Sequence, residues 1–274
     1  MQRTEIDYNK VYQTKNYGNF IILNEESQID TRMVRIKFLE TGSERVVSLG
    51  HVMTGELKDL YKRTVYDIGY LGDYNGKDPY HTISYNIWSS MMARCYNTKA
   101  QCYIGYGSIG IKVSDEWHCY AKFQNDIKYL YNYKKFTDNP SGYQLDKDYL
   151  QQQIPKPNRV YSKETCIFLS NVDNNNLHAL ENNLLNINNM SSKYIGVTKS
   201  RNNANTYEAI IRLQGKKYRI GTFTSEIAAA NAYNYYFDTY VNYELVHIHN
   251  DVPYMSPEEF SKYYSVIHEV IRKI

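Results

Sequence analysis

Ser192-Lys193-Tyr194-Ile195-Gly196-Val197-Thr198, Tyr207-Glu208-Ala209-Ile210-Ile211-Arg212-Leu213, Lys217-Tyr218-Arg219-Ile220-Gly221, and Glu226-Ile227-Ala228-Ala229-Ala230-Asn231-Ala232-Tyr233 decide the fold of the C-terminal third. The first three runs read as strands, and Gln214-Gly215 joins the second to the third. Thr224 is placed to cap a helix over 225–240, with Glu226 against its positive N-terminal end. The expectation is a three-stranded antiparallel sheet packed on one helix. Alternation puts Tyr207, Ala209 and Ile211 on one face and Glu208, Ile210 and Arg212 on the other. The alanines at 228, 229, 230 and 232 let the helix approach the first face closely. Arg212, Lys217 and Arg219 then share the open face, and Lys199 and Arg201 lie in the loop after the first strand.

Charge is distributed in the same sense. Residues 191–223 hold seven Lys/Arg and one acid, whereas 224–274 hold three basic and seven acidic residues. The total of +3 over 274 residues decides little, but a basic block beside an acidic one predicts a positive binding face, with double-stranded DNA as the partner.

Outward from this region, residues 77–190 read as a mixed unit. Trp88, Met91, Met92 and Cys95 fall at helical spacing, and the helix they predict ends near Asn97. Trp117, Tyr120 and Phe123 begin a second helix, predicted to run to about Leu130. Leu145-Asp146-Lys147-Asp148-Tyr149-Leu150 reads as a strand, with Cys166-Ile167-Phe168-Leu169 as its partner. The nine asparagines of 171–189 are compatible with a polar helix, a linker, or one followed by the other. Residues 1–75 alternate as a small antiparallel β module, and the breaker-rich 69–76 marks its boundary. Residues 256–274 predict one more amphipathic helix, with Phe260, Tyr264, Ile267 and Ile271 on one side. The fold class is therefore α+β and multi-domain: 1–75, 77–190 and 191–274.

With 42% hydrophobic and 22% charged residues the composition is that of a globular chain, not a disordered one. No apolar run approaches the ~18 residues of a membrane span, and the polar start is not an export signal. Cys95, Cys102, Cys119 and Cys166 form no C-x-x-C pair, so reduced thiols in a cytoplasm are expected and a structural zinc is not. The oligomeric state is left open.

The C-terminal runs, with "IGTF" at 220–223 and "E-x-x-A-A-x-A-Y" at 226–233, resemble the plant ethylene-response-factor (apetala-two type) DNA-binding domain over about fifty residues. The resemblance implies major-groove reading by Thr198, Arg212, Lys217 and Arg219. Ile195 and Ser200 stand at positions where that family has arginines, so sequence preference does not carry over. The motifs Trp88/Met91/Arg94/Cys95, Tyr106-Gly107 and Gly110, Trp117/Tyr120/Phe123, 145–148 and 161–168 resemble phage and bacterial HNH-like (His-Me finger) homing endonucleases, which often carry the same C-terminal domain. Residues 34–42 resemble a module found ahead of such domains.

That second resemblance implies a nuclease: hydrolysis of a DNA phosphodiester with a divalent metal, Mg or Mn, in a central ββα unit with flanking helices. A carboxylate and an amide or imidazole hold the metal, and a base activates water. Asp146 and Asn174 are the candidate metal ligands, with Asp148 assisting. The family's catalytic histidine is expected at position 147, where this chain has Lys147, a poor base at its ordinary pKa. His81 and His178 are the candidate substitutes. The expected function is a phage-type DNA endonuclease anchored by its C-terminal domain, acting in the host cytoplasm if phage-encoded. Its rival is a catalytically inactive DNA-binding protein or regulator on a degenerate HNH scaffold.

Overall fold

The computed structural model describes residues 6–23, 32–76, 78–186, 190–201, 203, 205–213 and 215–267. In chain order the elements open with β1 (Val11–Gln13), β2 (Asn19–Ile22), β3 (Met33–Phe38), β4 (Glu44–Ser48), α1 (Leu49–Thr54) and α2 (Ile83–Tyr96). There follow β5 (Lys112–Val113), α3 (Tyr120–Asp126), α4 (Tyr133–Asp138), β6 (Tyr143–Asp146), β7 (Val160–Tyr161), β8 (Ile167–Ser170) and α5 (Asn171–Asn186). The chain ends through β9 (Val197–Lys199), β10 (Tyr207–Leu213), β11 (Lys216–Phe223), α6 (Glu226–Tyr240), α7 (Pro257–Ser261) and β12 (Tyr264–Ile267). This mixed α+β chain divides into two units, 1–133 with 150–167, and 134–149 with 168–274. The boundary read at 69–76 lies inside the first unit, and that at 190/191 lies inside the second.

In the first unit β1–β4 form an antiparallel meander. Alternation in β3 sends Val34, Ile36 and Phe38 into a core with Phe20, Ile22, Val47 and Val52, and leaves Arg35 and Lys37 on the other face. Helix α2 buries Trp88, Met91, Met92 and Cys95 at the spacing read from sequence and ends at its cap, Asn97. The helix expected from Trp117 to about Leu130 is instead a short α3 flanked by tight turns at Asp115–His118 and Ile127–Tyr129. The cause is tertiary. Tyr70 N–H donates to His118 O at 3.0 Å and Tyr120 N–H to Tyr70 O at 2.8 Å, which holds Cys119 extended and delays the helix.

In the second unit β6 pairs with β8, and α5 follows directly. The strand expected over 145–150 stops at Asp146, because its carboxylate turns back to accept the amides of Asp148 and Tyr149. The asparagine-rich tract is helical as far as Asn186, and its residues 187–189 lie outside the described residues.

The C-terminal sheet has four strands in the order β12-β11-β10-β9, one more than sequence predicts. Its inner face buries Val197, Ala209, Ile211, Ile220 and Phe223 against Ala228, Ala229, Ala230, Ala232 and Phe237 of α6. Ser225, one residue after the expected Thr224, caps α6 by accepting from Ala228 N–H at 3.3 Å. Gly196 lies at φ +75°, and a Cβ there would collide with the Tyr233 ring, so this crossing requires glycine. The predicted C-terminal helix is only α7, started by a Ser256/Glu259 capping box with Pro257 in its first turn. Residues 264–267 extend along the open edge of β11 instead, and 268–274 lie outside the described residues. The Tyr264/Ile267 spacing suits a helix and puts the two on opposite faces of a strand. The β-branched and aromatic residues and an unpaired ladder edge decide for a strand.

Between α6 and α7 residues 241–255 run without a ladder of their own, and buried side chains satisfy their backbone. Asp173 is completely buried and accepts from the amides of Glu244 (3.1 Å), Leu245 (3.0 Å) and Val246 (2.8 Å) and from Ser170 Oγ (2.6 Å). Asn176 donates to Val246 O at 2.9 Å. Asp173→Ala would leave these amides without an acceptor, and a destabilisation of about 3 kcal/mol or more is expected by urea denaturation. A change inside about 0.5 kcal/mol, the range of an ordinary surface substitution, would show that the carboxylate does not anchor the segment.

Candidate nucleic-acid interface and the acidic turn

Cross-strand register builds the open face of the C-terminal sheet. Arg212 stands opposite Lys217, Ile210 opposite Arg219, Glu208 opposite Thr222, and Thr198 opposite Glu208. A bulge between Ala209 and Ile210 leaves Ile220 without a β10 partner and keeps Arg219 outward while Gly221 turns inward. Arg212, Lys217, Arg219, Thr198, Lys199 and Arg201 are all exposed. The fourth strand widens this surface, since Val266, half exposed, pairs with Thr222. One acid sits among the cations: Glu208 Oε2 lies 3.0 Å from Arg219 Nη2.

The turn after β6 is built differently. Asp146, Lys147 and Asp148 are all buried, Lys147 to 1% exposure. Asp146 Oδ1 accepts from Asp148 N–H at 3.0 Å and Tyr149 N–H at 2.8 Å. Burial holds the Asp146 carboxyl above its ordinary pKa, against the opposing pull of these amides. Lys147 Nζ donates to both Asp148 carboxylate oxygens, at 2.7 and 2.8 Å.

Asn174 lies half-buried in the first turn of α5, and the fully buried residue there is its neighbour Asp173. His178 is half-buried on the same helix. His81 belongs to the first unit, is 90% exposed, and lies 3.8 Å from Asp78. Cys95, Cys119 and Cys166 are buried and Cys102 is exposed, all of them free thiols. Among the described residues no group of three or more His, Cys, Asp or Glu is arranged to hold a metal ion. Asp146 is buried, and the amides of its own turn engage one of its two carboxylate oxygens. Among the described residues no helix is long and apolar enough to cross a membrane.

Sequence reading missed Asp173, whose role needs a partner seventy residues away, and it placed Glu208 on the open face without its pairing to Arg219. No family model, no curated protein and no solved structure matches the chain.

The Lys147–Asp148 pair gives a direct stability test. Lys147→Met removes the buried ammonium and its two charge-assisted hydrogen bonds to Asp148, and should cost about 1–3 kcal/mol in denaturant unfolding. A loss under about 0.5 kcal/mol, as at an exposed site, would place Lys147 in solvent.

Proposed function

We propose that the chain is a double-stranded DNA-binding protein that docks with the open face of its four-stranded sheet. The observation that carries this reading is the cationic row of Arg212, Lys217 and Arg219, held in adjacent registers and exposed, beside exposed Thr198, Lys199 and Arg201. A sheet backed by a helix leaves one face open, and β-sheets are among the elements that enter DNA grooves. The resemblance to the plant-type DNA-binding domain supports the same face. Free cysteines accord with a reducing cytoplasm as the site of action.

The test is a salt titration of the full chain on random-sequence duplex. Arg212→Ala and Lys217→Ala should each weaken binding and lower the slope of log K against log salt by about 1, and the double variant by about 2. An unchanged slope in the double variant removes this face from the interface.

A second reading, a metal-dependent DNA endonuclease, is favoured by one feature. β6 and β8 pair and lead directly into α5, with Asp146 ending the first strand and Asn174 in the first helical turn. This is the strand–strand–helix order of the nuclease family that the central motifs resemble. Discrete cleavage of duplex with magnesium or manganese by the wild type, abolished in Asp146→Asn while DNA binding survives, would establish it. No cleavage by the wild type leaves the non-cleaving DNA-binding reading.

A further inference from the structure

Helix α6 packs its alanines and Phe237 on the sheet and leaves Tyr235 and Tyr240 exposed. These two rings are not isolated. Tyr240 stacks on Tyr236 with centroids 5.9 Å apart and planes 11° apart. Tyr236 meets Tyr235 edge-on at 5.4 Å, and Tyr235 contacts Phe260 of α7 at 5.9 Å. In the extended segment before α7, Tyr254 is held beside the same helix. Asn231 of α6 donates to Pro253 O at 3.1 Å and accepts from Met255 N–H at 2.9 Å, on either side of it. At 82%, Tyr254 is the most exposed large hydrophobic side chain among the described residues. Exposed apolar side chains scattered singly need no explanation, but rings in contact form a patch, and such patches mark interaction sites.

The charge around these rings is one-sided. Residues 224–267 hold six acids and a single Lys/Arg, Lys262. Glu258 and Glu259 are exposed and precede Phe260, the α7 residue that Tyr235 touches. Acids at this place repel phosphate, so neither a nucleic acid stacking on the rings nor an anionic lipid surface suits the patch. A cation suits it in two ways: the face of a tyrosine ring attracts an ammonium or guanidinium, and a neighbouring carboxylate complements the charge. Tyr235 and Tyr236 already pack on their neighbours, so covering them costs little side-chain freedom, and tyrosine is a residue on which binding energy concentrates. The chain's own dense cations lie on the open sheet face, which the reading above gives to DNA, so a second copy fits the patch less well than a separate basic partner.

We propose that the tyrosine patch formed by α6, α7 and the segment before α7 docks a Lys/Arg-rich segment of another protein, on the helix side of the domain, leaving the open sheet face free.

The test titrates the full-length chain into a short, fluorescently labelled Arg/Lys/Ser peptide and follows anisotropy, with a Glu/Ser peptide of equal length as control. The wild type should bind the basic peptide and not the acidic one. Tyr235→Ser combined with Tyr240→Ser leaves net charge unchanged and should weaken binding about tenfold, the scale of two cation–π contacts. Tyr254→Ser should weaken it as well. Tyr254 is so exposed that its loss leaves the domain folded, so this variant reads the patch even where the double variant lowers the melting temperature. Tyr235→Phe combined with Tyr240→Phe keeps the rings and should bind as the wild type does. Glu258→Gln should weaken binding about threefold, the scale of an exposed ion pair. An effect of Glu258→Gln with none from the Ser variants would mean that charge alone attracts the peptide, and it overturns the proposal. So does a wild type that binds neither peptide, or both alike. So does Tyr129→Ser, at an exposed tyrosine of the first unit, weakening binding as much as Tyr254→Ser does. Self-association of the chain alone in sedimentation velocity, abolished by Tyr254→Ser, would make a second copy the occupant and overturns it too. None of these outcomes depends on duplex binding, so a failure here is distinct from a failure of the DNA-binding reading.

Discussion

The second unit depends on one buried carboxylate. Asp173, in the first turn of α5, collects three consecutive backbone amides from 244–246 and the hydroxyl of Ser170. An extended segment with no sheet partner cannot be buried unless something replaces its ladder. Here asparagines continue what Asp173 starts. Asn234 of α6 exchanges two hydrogen bonds with the backbone of Asn250, at 2.9 and 2.8 Å. Asn231 takes Met255 N–H at 2.9 Å and gives to Pro253 O at 3.1 Å. The Asn250 side chain then accepts from Ile195 N–H at 2.7 Å and donates to Ile195 O at 3.1 Å, just before β9 begins. Helix α5, the extended segment, helix α6 and the entry to the sheet are joined by polar side chains that each satisfy main chain.

That chain of contacts explains why the sheet can leave a whole face open. Its inner side is sealed twice, by the alanines of α6 and by the strap that carries Ile248 into the same core. Close alanine packing lets α6 lie near the strands, and Tyr233 fills the space that Gly196 leaves without a side chain. With β12 covering the β11 edge, the outer face remains as a continuous four-strand surface whose rigidity does not depend on anything bound to it. A preorganised surface loses little ordering entropy on association.

Much of this was legible from sequence because two periodicities are clean there. Alternation in 207–213 and 217–219 identified which residues face out, and the helical spacing of Trp88, Met91, Met92 and Cys95 identified a buried stripe. Three features were not legible, each for a distinct reason. The tail at 264–267 carries a helical spacing, and a free strand edge that sequence does not display drew it into the sheet instead. The helix expected at 117–130 was shortened by hydrogen bonds from Tyr70, a contact across some fifty residues. The roles of asparagines 231, 234 and 250 and of Asp173 are invisible in sequence, because residue type alone gives no sign that a carbonyl or amide from far along the chain will meet them. Of the candidate site, the cationic row was readable from strand period, whereas Glu208's bridge to Arg219 required the register across the bulge.

The acidic turn follows from the same logic as the strap. A metal ligand must present an oxygen to an ion that also reaches substrate, so it is accessible or lines a cavity. Asp146 is buried: its Oδ1 closes the turn that ends β6, and desolvation pushes its carboxyl toward the neutral form. Lys147, where the nuclease pattern would have an imidazole, is one of the least exposed side chains among the described residues and neutralises the carboxylate next to it. A histidine at 147 would reach less far than the lysine ammonium does and could not donate to both oxygens of Asp148. The lysine is therefore the better structural residue at this position and the worse catalytic one. The Asp146-Lys147-Asp148 run is a buried turn in which the lysine ammonium meets the neighbouring carboxylate, whereas the cations of the sheet face are exposed.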